Sequence, residues 1–169
     1  DRQDGLAGVD LTILADHITR GGLSDMVWQQ EPELILWFVH TDGRLIGLTY
    51  DRANNAVGWH THPLGGSATV ESITAIPSGS EDQVYLSVKR TINSATVRHI
   101  VYLKSVNFGT DVNDAFFLDS GLTYDGSATT TISGLHHLEG ETVSVLADGS
   151  AHADKTVSGG SITLDRSSS

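Results

Sequence analysis

The chain has 169 residues, enough for one ordinary domain or two small ones, and its hydrophobic fraction of 38% contains no apolar run long enough for a membrane-spanning helix. With no cysteine it offers neither a disulfide framework nor a thiolate metal site, and its 10 basic against 21 acidic side chains leave a formal charge of −11. Nine of those acids and two of the bases fall within residues 111–169, so the acidity concentrates in the last third and argues against a direct grip on nucleic-acid phosphates.

In chain order, Asp1-Arg2-Gln3-Asp4 lacks the basic and apolar leader of a signal peptide. Asp10 is a good N-cap for one short helix with Leu11, Leu14 and Ile18 on one face and Gly21-Gly22 at its end, so residues 1–24 read as an N-terminal segment. The hydrophobic period then changes to two. Four strands are expected at Met26–Gln30, Leu34–His40, Arg44–Tyr50 and Ala56–His62, with Thr41-Asp42-Gly43 as a hairpin turn and Asp51–Asn55 as a polar loop. The theme returns at Thr69–Ile76, Gln83–Arg90 and Thr96–Lys104, with Ala115–Leu118 as a candidate fourth strand. Residues 119–169 are rich in Gly, Ser, Thr and Asp, and short strands are expected at Thr129–Ser133, Glu141–Leu146, Lys155–Val157 and Ser161–Leu164, with Arg166–Ser169 as a frayed or truncated end.

The expected fold is therefore all-β: two blade-like antiparallel units of a propeller over 25–118, then a small β-domain over 119–169. Two blades cannot close a ring, so the alternatives are part of a propeller or a sandwich of two sheets. Leu36, Phe38, Leu45, Leu48, Val84, Leu86, Val88 and Ile100 are the expected core, and Trp37 joins them from an almost unbroken apolar strand.

The sharpest candidate for chemistry is Gly58-Trp59-His60-Thr61-His62-Pro63. His60-Thr61-His62-Pro63 resembles the signature of the JAMM metalloisopeptidases, in which two histidines hold a catalytic zinc. On a strand, His60 and His62 point to one face and make a two-imidazole half-site, which needs at least a third protein ligand. The positions at which that family carries its Ser and its ligating Asp are Val70 and Ile73 here, Glu71 is out of register, and Glu31 and Glu33 flank Pro32. The expectation is accordingly no catalytic residue and no cofactor. His60 and His62 remain the metal candidates, with His40 as a possible addition from another strand.

Other constellations favour bland readings. His136-His137 reads as a loop pair, and Asp148-Gly149 and Asp125-Gly126 read as turns rather than calcium loops. Trp28, Trp37, Trp59, Tyr50 and Tyr85 would be the members of a sugar platform, against which Trp37 already reads as core.

Residues 24–104 resemble structural proteins of tailed bacteriophages of the tail-nozzle or packaged-DNA-stabilising type. The likeness rests on "MVWQQEPELILWFVHTDGRLIGLTYDRANNAVGWHTH", "VESITAIPSGSEDQVYLSVKRTIN" and "TVRHIVYL" in that order, followed by "FLDSGLTYDG" and "HLEGETVSVLADG". The resemblance implies a non-enzymatic virion protein, of which this chain would be an internal piece or one module of the subunit. Its partners would be other copies or other tail proteins in a ring, DNA passing through a lumen without tight binding, and a host surface receptor, with no membrane span. In such a conduit Asp42, Asp51, Glu81 and Asp82 would face the channel. The alternatives are a carbohydrate- or receptor-binding β module and a zinc-dependent hydrolase using His60 and His62.

Overall fold

The computed structural model describes residues 10–13 and 15–168, with Asn113 as backbone alone. The chain is mostly β and its sheets are antiparallel. It divides into two compact units: residues 1–89 with 98–115, and residues 90–97 with 116–169.

In the N-terminal unit, β1 (Leu23–Gln29), β2 (Ile35–His40), β3 (Leu45–Asp51) and β4 (Ala56–His62) form a meander in that order. Its turns follow from their residues. Asp42 accepts the Arg44 N–H at 3.1 Å, and Gly43 adopts φ +87°, where a Cβ would also lie 2.5 Å from the Thr69 Cβ. At the far end of β3, the Asp51 carboxylate accepts the Asn54 backbone N–H at 3.1 Å and its amide at 2.6 Å. A second sheet of β5 (Thr69–Ser78), β6 (Glu81–Ile92) and β7 (Ala95–Tyr102) follows in the order β5-β6-β7. The β6–β7 hairpin turns on Asn93 and Ser94, both at positive φ, as a two-residue primed turn requires.

Strand alternation gives the first sheet two apolar faces. Trp37, Val39 and Leu45 pack from one face against Val70, Ile73, Val84, Leu86 and Val88 of the second sheet, with Val101 and Leu103 beside them. Phe38, Ile46 and Leu48 line the other face with Leu36, Tyr50 and Trp59, and Leu11 and Ile18 lie over it. The Trp59 indole N–H donates to the Leu11 carbonyl at 2.8 Å, which ties that segment down. Each fully buried Leu or Ile in these layers contributes about 1.5–3 kcal/mol.

In the C-terminal unit, β8 (Thr129–Ser133) pairs with β11 (Ser161–Ser168), and β9 (Thr142–Ala147) pairs with β10 (Ser150–Thr156). Leu135, Val157, Ile162 and Leu164 form its core. Arg90, 5% exposed, makes a two-pronged ion pair with Asp119 at 2.6 and 3.1 Å. The Glu139 carboxylate accepts the Gly159 and Gly160 N–H groups at 2.9 and 2.7 Å, and these two bonds hold it below the usual carboxylate range.

Several expectations are corrected. Ala115–Leu118 forms no strand, and Phe117 and Leu118 are exposed, so the second sheet has three strands where a matching four-stranded unit was expected. Ile100 is 74% exposed because Val101 and Leu103 take the inward positions at the end of β7 and alternation turns Ile100 outward. Asp10 caps no α-helix. Its carboxylate takes the Thr12 N–H and hydroxyl in a turn, and among the described residues the α-helix is confined to α1, Asp16–Thr19, behind Ala15. Arg166 to Ser168 are strand residues of β11, with Ser168 buried, not a frayed end. The expectations resting on Leu14, Ser169 and the Asp1–Asp4 start lie outside the described residues.

Candidate functional site

His60 and His62 do share a face of β4, the one that carries Trp37. Cross-strand register sets His60 opposite Gly47, and His62 opposite Leu45. The absent side chain at Gly47 is what admits the His60 ring: a Cβ there would lie 2.0 Å from its Cε1. The ring meets Trp37 edge-on, with centroids 5.8 Å apart and planes at 85°, and the His62 ring lies 5.0 Å from the same indole. His60 Nε2 is 3.2 Å from the Thr49 hydroxyl, and His60 Nδ1 is 2.6 Å from His62 Nε2.

That last contact decides the chemistry. One of its two nitrogens must donate and the other accept, so the pair is joined as neutral imidazoles or with one proton between them. Burial lowers the pKa of His60; burial and then the charge of His60 lower that of His62. Two imidazole nitrogens bound to one tetrahedral zinc stand roughly 3.3 Å apart. Here they close on each other within a hydrogen bond.

The other nominated ligands are elsewhere. His40, on β2, belongs to the opposite face from Trp37. Its Nε2 is 2.8 Å from the Arg20 carbonyl and its Nδ1 is 2.7 Å from the Asp42 carboxylate, so His40 does not join His60 and His62. Glu71 is paired with Arg98 at 2.8 and 3.1 Å, while Val70 and Ile73 are core residues. Among the described residues no group of three or more His, Asp or Glu side chains is placed to hold a metal ion.

The aromatic platform is also dispersed. Trp37 is 5% exposed in one core, whereas Trp59 stacks on Phe38 at 5.5 Å on the opposite face of the sheet. Trp28 and Trp59 lie in one cross-strand row with Leu36 and Leu48 between them, three strand spacings or about 14 Å apart. Tyr50 belongs to the core beside Trp59, and Tyr85 to the second sheet, next to Tyr102. His136 and His137 stand on the 3-10 turn His136–Leu138, where His137 Nε2 lies 2.9 Å from the Ser120 carbonyl. Asp148-Gly149 is the β9–β10 turn, with both residues at positive φ.

The acids expected to face a channel lie at different ends of the first sheet. Asp42 sits in the β2–β3 turn, and Asp51 is at the other end of β3. Asp82 belongs to that second end, since its carboxylate accepts the Gln30 and Glu31 N–H groups of the β1–β2 loop at 2.8 and 3.2 Å. Glu33 lies there too, its carboxyl raised by burial and by the charge of Glu81. One concavity was not legible in the sequence, an open polar depression of about 290 Å³ lined by Ser24, His40, Asp42, Thr69, Glu71 and Lys89 among others. It is assembled from four strands and a turn that no local motif connects.

No protein-family model matches this chain, and no curated protein matches it. No helix among the described residues is long and apolar enough to cross a membrane.

Proposed function

We propose that the chain is a non-enzymatic structural component of a bacteriophage or prophage tail, part of the nozzle or hub that retains and conducts DNA. The observation that carries this reading beside the sequence resemblance is the state of the side chains nominated for chemistry. His60 and His62 are hydrogen-bonded to each other, and His40 joins Asp42 to the Arg20 carbonyl. Each holds strands or segments together, which suits a stiff wall better than a reactive cleft. The two antiparallel sheets of the N-terminal unit are consistent with blade-like modules, and the charge of −11 suits a surface past which DNA slides without being held. A glycan-binding role has less support, because Trp37 and Trp59 are engaged in two different cores. The hydrolase reading lacks a third donor among the described residues.

Sedimentation velocity of the full chain from low to high micromolar concentration tests the proposal. A discrete oligomer that shows no affinity for labelled duplex DNA at low salt is the expected result. A monomer at every concentration, or tight DNA binding, overturns it.

A further inference from the structure

We infer that the open edge of β4 is a pairing surface through which two copies of this chain join strand to strand, β4 against β4. Such a contact needs nothing of the tail role proposed above. β4 ends the order β1-β2-β3-β4, and among the described residues no strand pairs with its other side. The hydrogen bonds of the meander fix which of its backbone groups point outward. The Tyr50 N–H donates to the Leu34 carbonyl at 3.0 Å and the His40 N–H to the Arg44 carbonyl at 2.9 Å, so the even residues of β3 bond toward β2. Its odd residues therefore bond toward β4, on Ala56, Gly58, His60 and His62. That leaves the N–H and C=O groups of Val57, Trp59 and Thr61 directed at the open edge, where Val57 is 46% exposed and Thr61 is exposed too.

Edge strands of stable monomers carry charges, prolines or bulges that discourage pairing with another chain. The other edges of the N-terminal unit follow that rule. β1 has a bulge between Leu23 and Asp25, and the Asp25 carboxylate accepts the Ile73 N–H of the second sheet at 3.1 Å. β5 has a bulge between Val70 and Ser72 together with Glu71 and Pro77, and β7 has Arg98. β4 has none of these devices. Its pairing with β3 is regular, and residues 56–70 include no Asp, Glu, Lys or Arg in a chain of −11. A second copy fits this edge because an antiparallel strand is its own complement about a two-fold axis. Only with Trp59 beside Trp59 do all three outward residues of both copies bond, Val57 with Thr61 on either side. The same register sets His60 beside Gly58 and His62 beside Ala56 of the second copy, so the two rings meet the two smallest residues of the strand. The space is there: a Cβ on Gly58 would meet nothing within 4 Å. Two chains of like charge thus meet where neither carries any.

Sedimentation velocity compares the full wild-type chain with Thr61→Pro, Val57→Lys and, as a control, Ile100→Lys on β7, where Ile100 is 74% exposed. Each variant is first shown to fold by circular dichroism. The Thr61 N–H points out of the sheet, so proline there removes an outward bond and leaves the β3–β4 ladder whole. Wild type and Ile100→Lys are expected to dimerise. Thr61→Pro and Val57→Lys are expected to raise the dissociation constant about tenfold or more, since the two-fold axis applies each change twice. Hydrogen exchange at the Val57, Trp59 and Thr61 amides is expected to slow as the wild-type concentration rises. A wild-type oligomer that both edge variants leave intact, or that Ile100→Lys weakens equally, overturns the edge contact and leaves the structural role standing. Protection of those three amides in dilute monomer also overturns it, because the edge is then covered within one chain. A wild-type chain that is monomeric at every concentration overturns both proposals.

Discussion

Gly47→Ala tests the reading of the histidine pair. The residue has ordinary strand backbone, so the substitution introduces no backbone strain; its cost comes from the ring opposite. The new Cβ would stand 2.0 Å from His60 Cε1, 2.6 Å from Nδ1 and 2.8 Å from Nε2. The imidazole must swing away, and in leaving it gives up the Thr49 and His62 hydrogen bonds and the edge contact on Trp37. Two hydrogen bonds at about 1 kcal/mol each and a ring contact of roughly 0.5–1.5 kcal/mol are lost. Alanine's lower conformational entropy in the unfolded chain offsets about 0.5–1 kcal/mol. The half-exposed setting trims the remainder to a net destabilisation of about 1–2 kcal/mol. Urea unfolding followed by tryptophan fluorescence measures it, since Trp28, Trp37 and Trp59 all lie in the N-terminal unit. In a His60→Ala background the same change has no ring to displace and is expected to be neutral or stabilising by up to about 1 kcal/mol. Equal effects in the two backgrounds would refute the argument.

Acid should loosen the same site. The folded pKa values of His60 and His62 lie below the unfolded value of about 6.5, so their contribution is complete above that pH and is lost as pH falls through the folded values. The urea midpoint of wild type is expected to drop from about pH 7.5 to about pH 5.5 more steeply than that of His60→Ala/His62→Ala; parallel curves would contradict the shift. Asp119→Ala leaves the Arg90 guanidinium buried without its two-pronged partner and is expected to cost about 2–3 kcal/mol, read by far-ultraviolet circular dichroism because the C-terminal unit has no tryptophan. Glu139→Gln is expected to speed hydrogen exchange at the Gly159 and Gly160 amides, since one amide oxygen replaces two carboxylate oxygens; unchanged protection at both would contradict the bonding described.

The strands were legible where alternation and turn chemistry agree. Leu34 to Val39, the Thr41-Asp42-Gly43 turn and the run from Gln83 to Arg90 all lie within or beside strands of the expected kind. Alternation alone could not say which of two apolar sets faces a partner sheet, and Ile100 was misplaced for that reason. Ala115–Leu118 has strand composition, yet strand formation needs a neighbour to take its hydrogen bonds, and composition does not reveal one. The shared face of His60 and His62 followed from a period of two, but their mutual hydrogen bond depends on Gly47, the register partner of His60 on the neighbouring strand β3, a relation no local pattern carries. The Arg90–Asp119 and Glu139–Gly160 contacts leave no local pattern for the same reason, being 29 and 21 residues apart in sequence.

Electron microscopy of the full chain at high concentration tests the central claim most directly. The account expects a discrete assembly of several chains. Particles of a single chain's size at every concentration would contradict it.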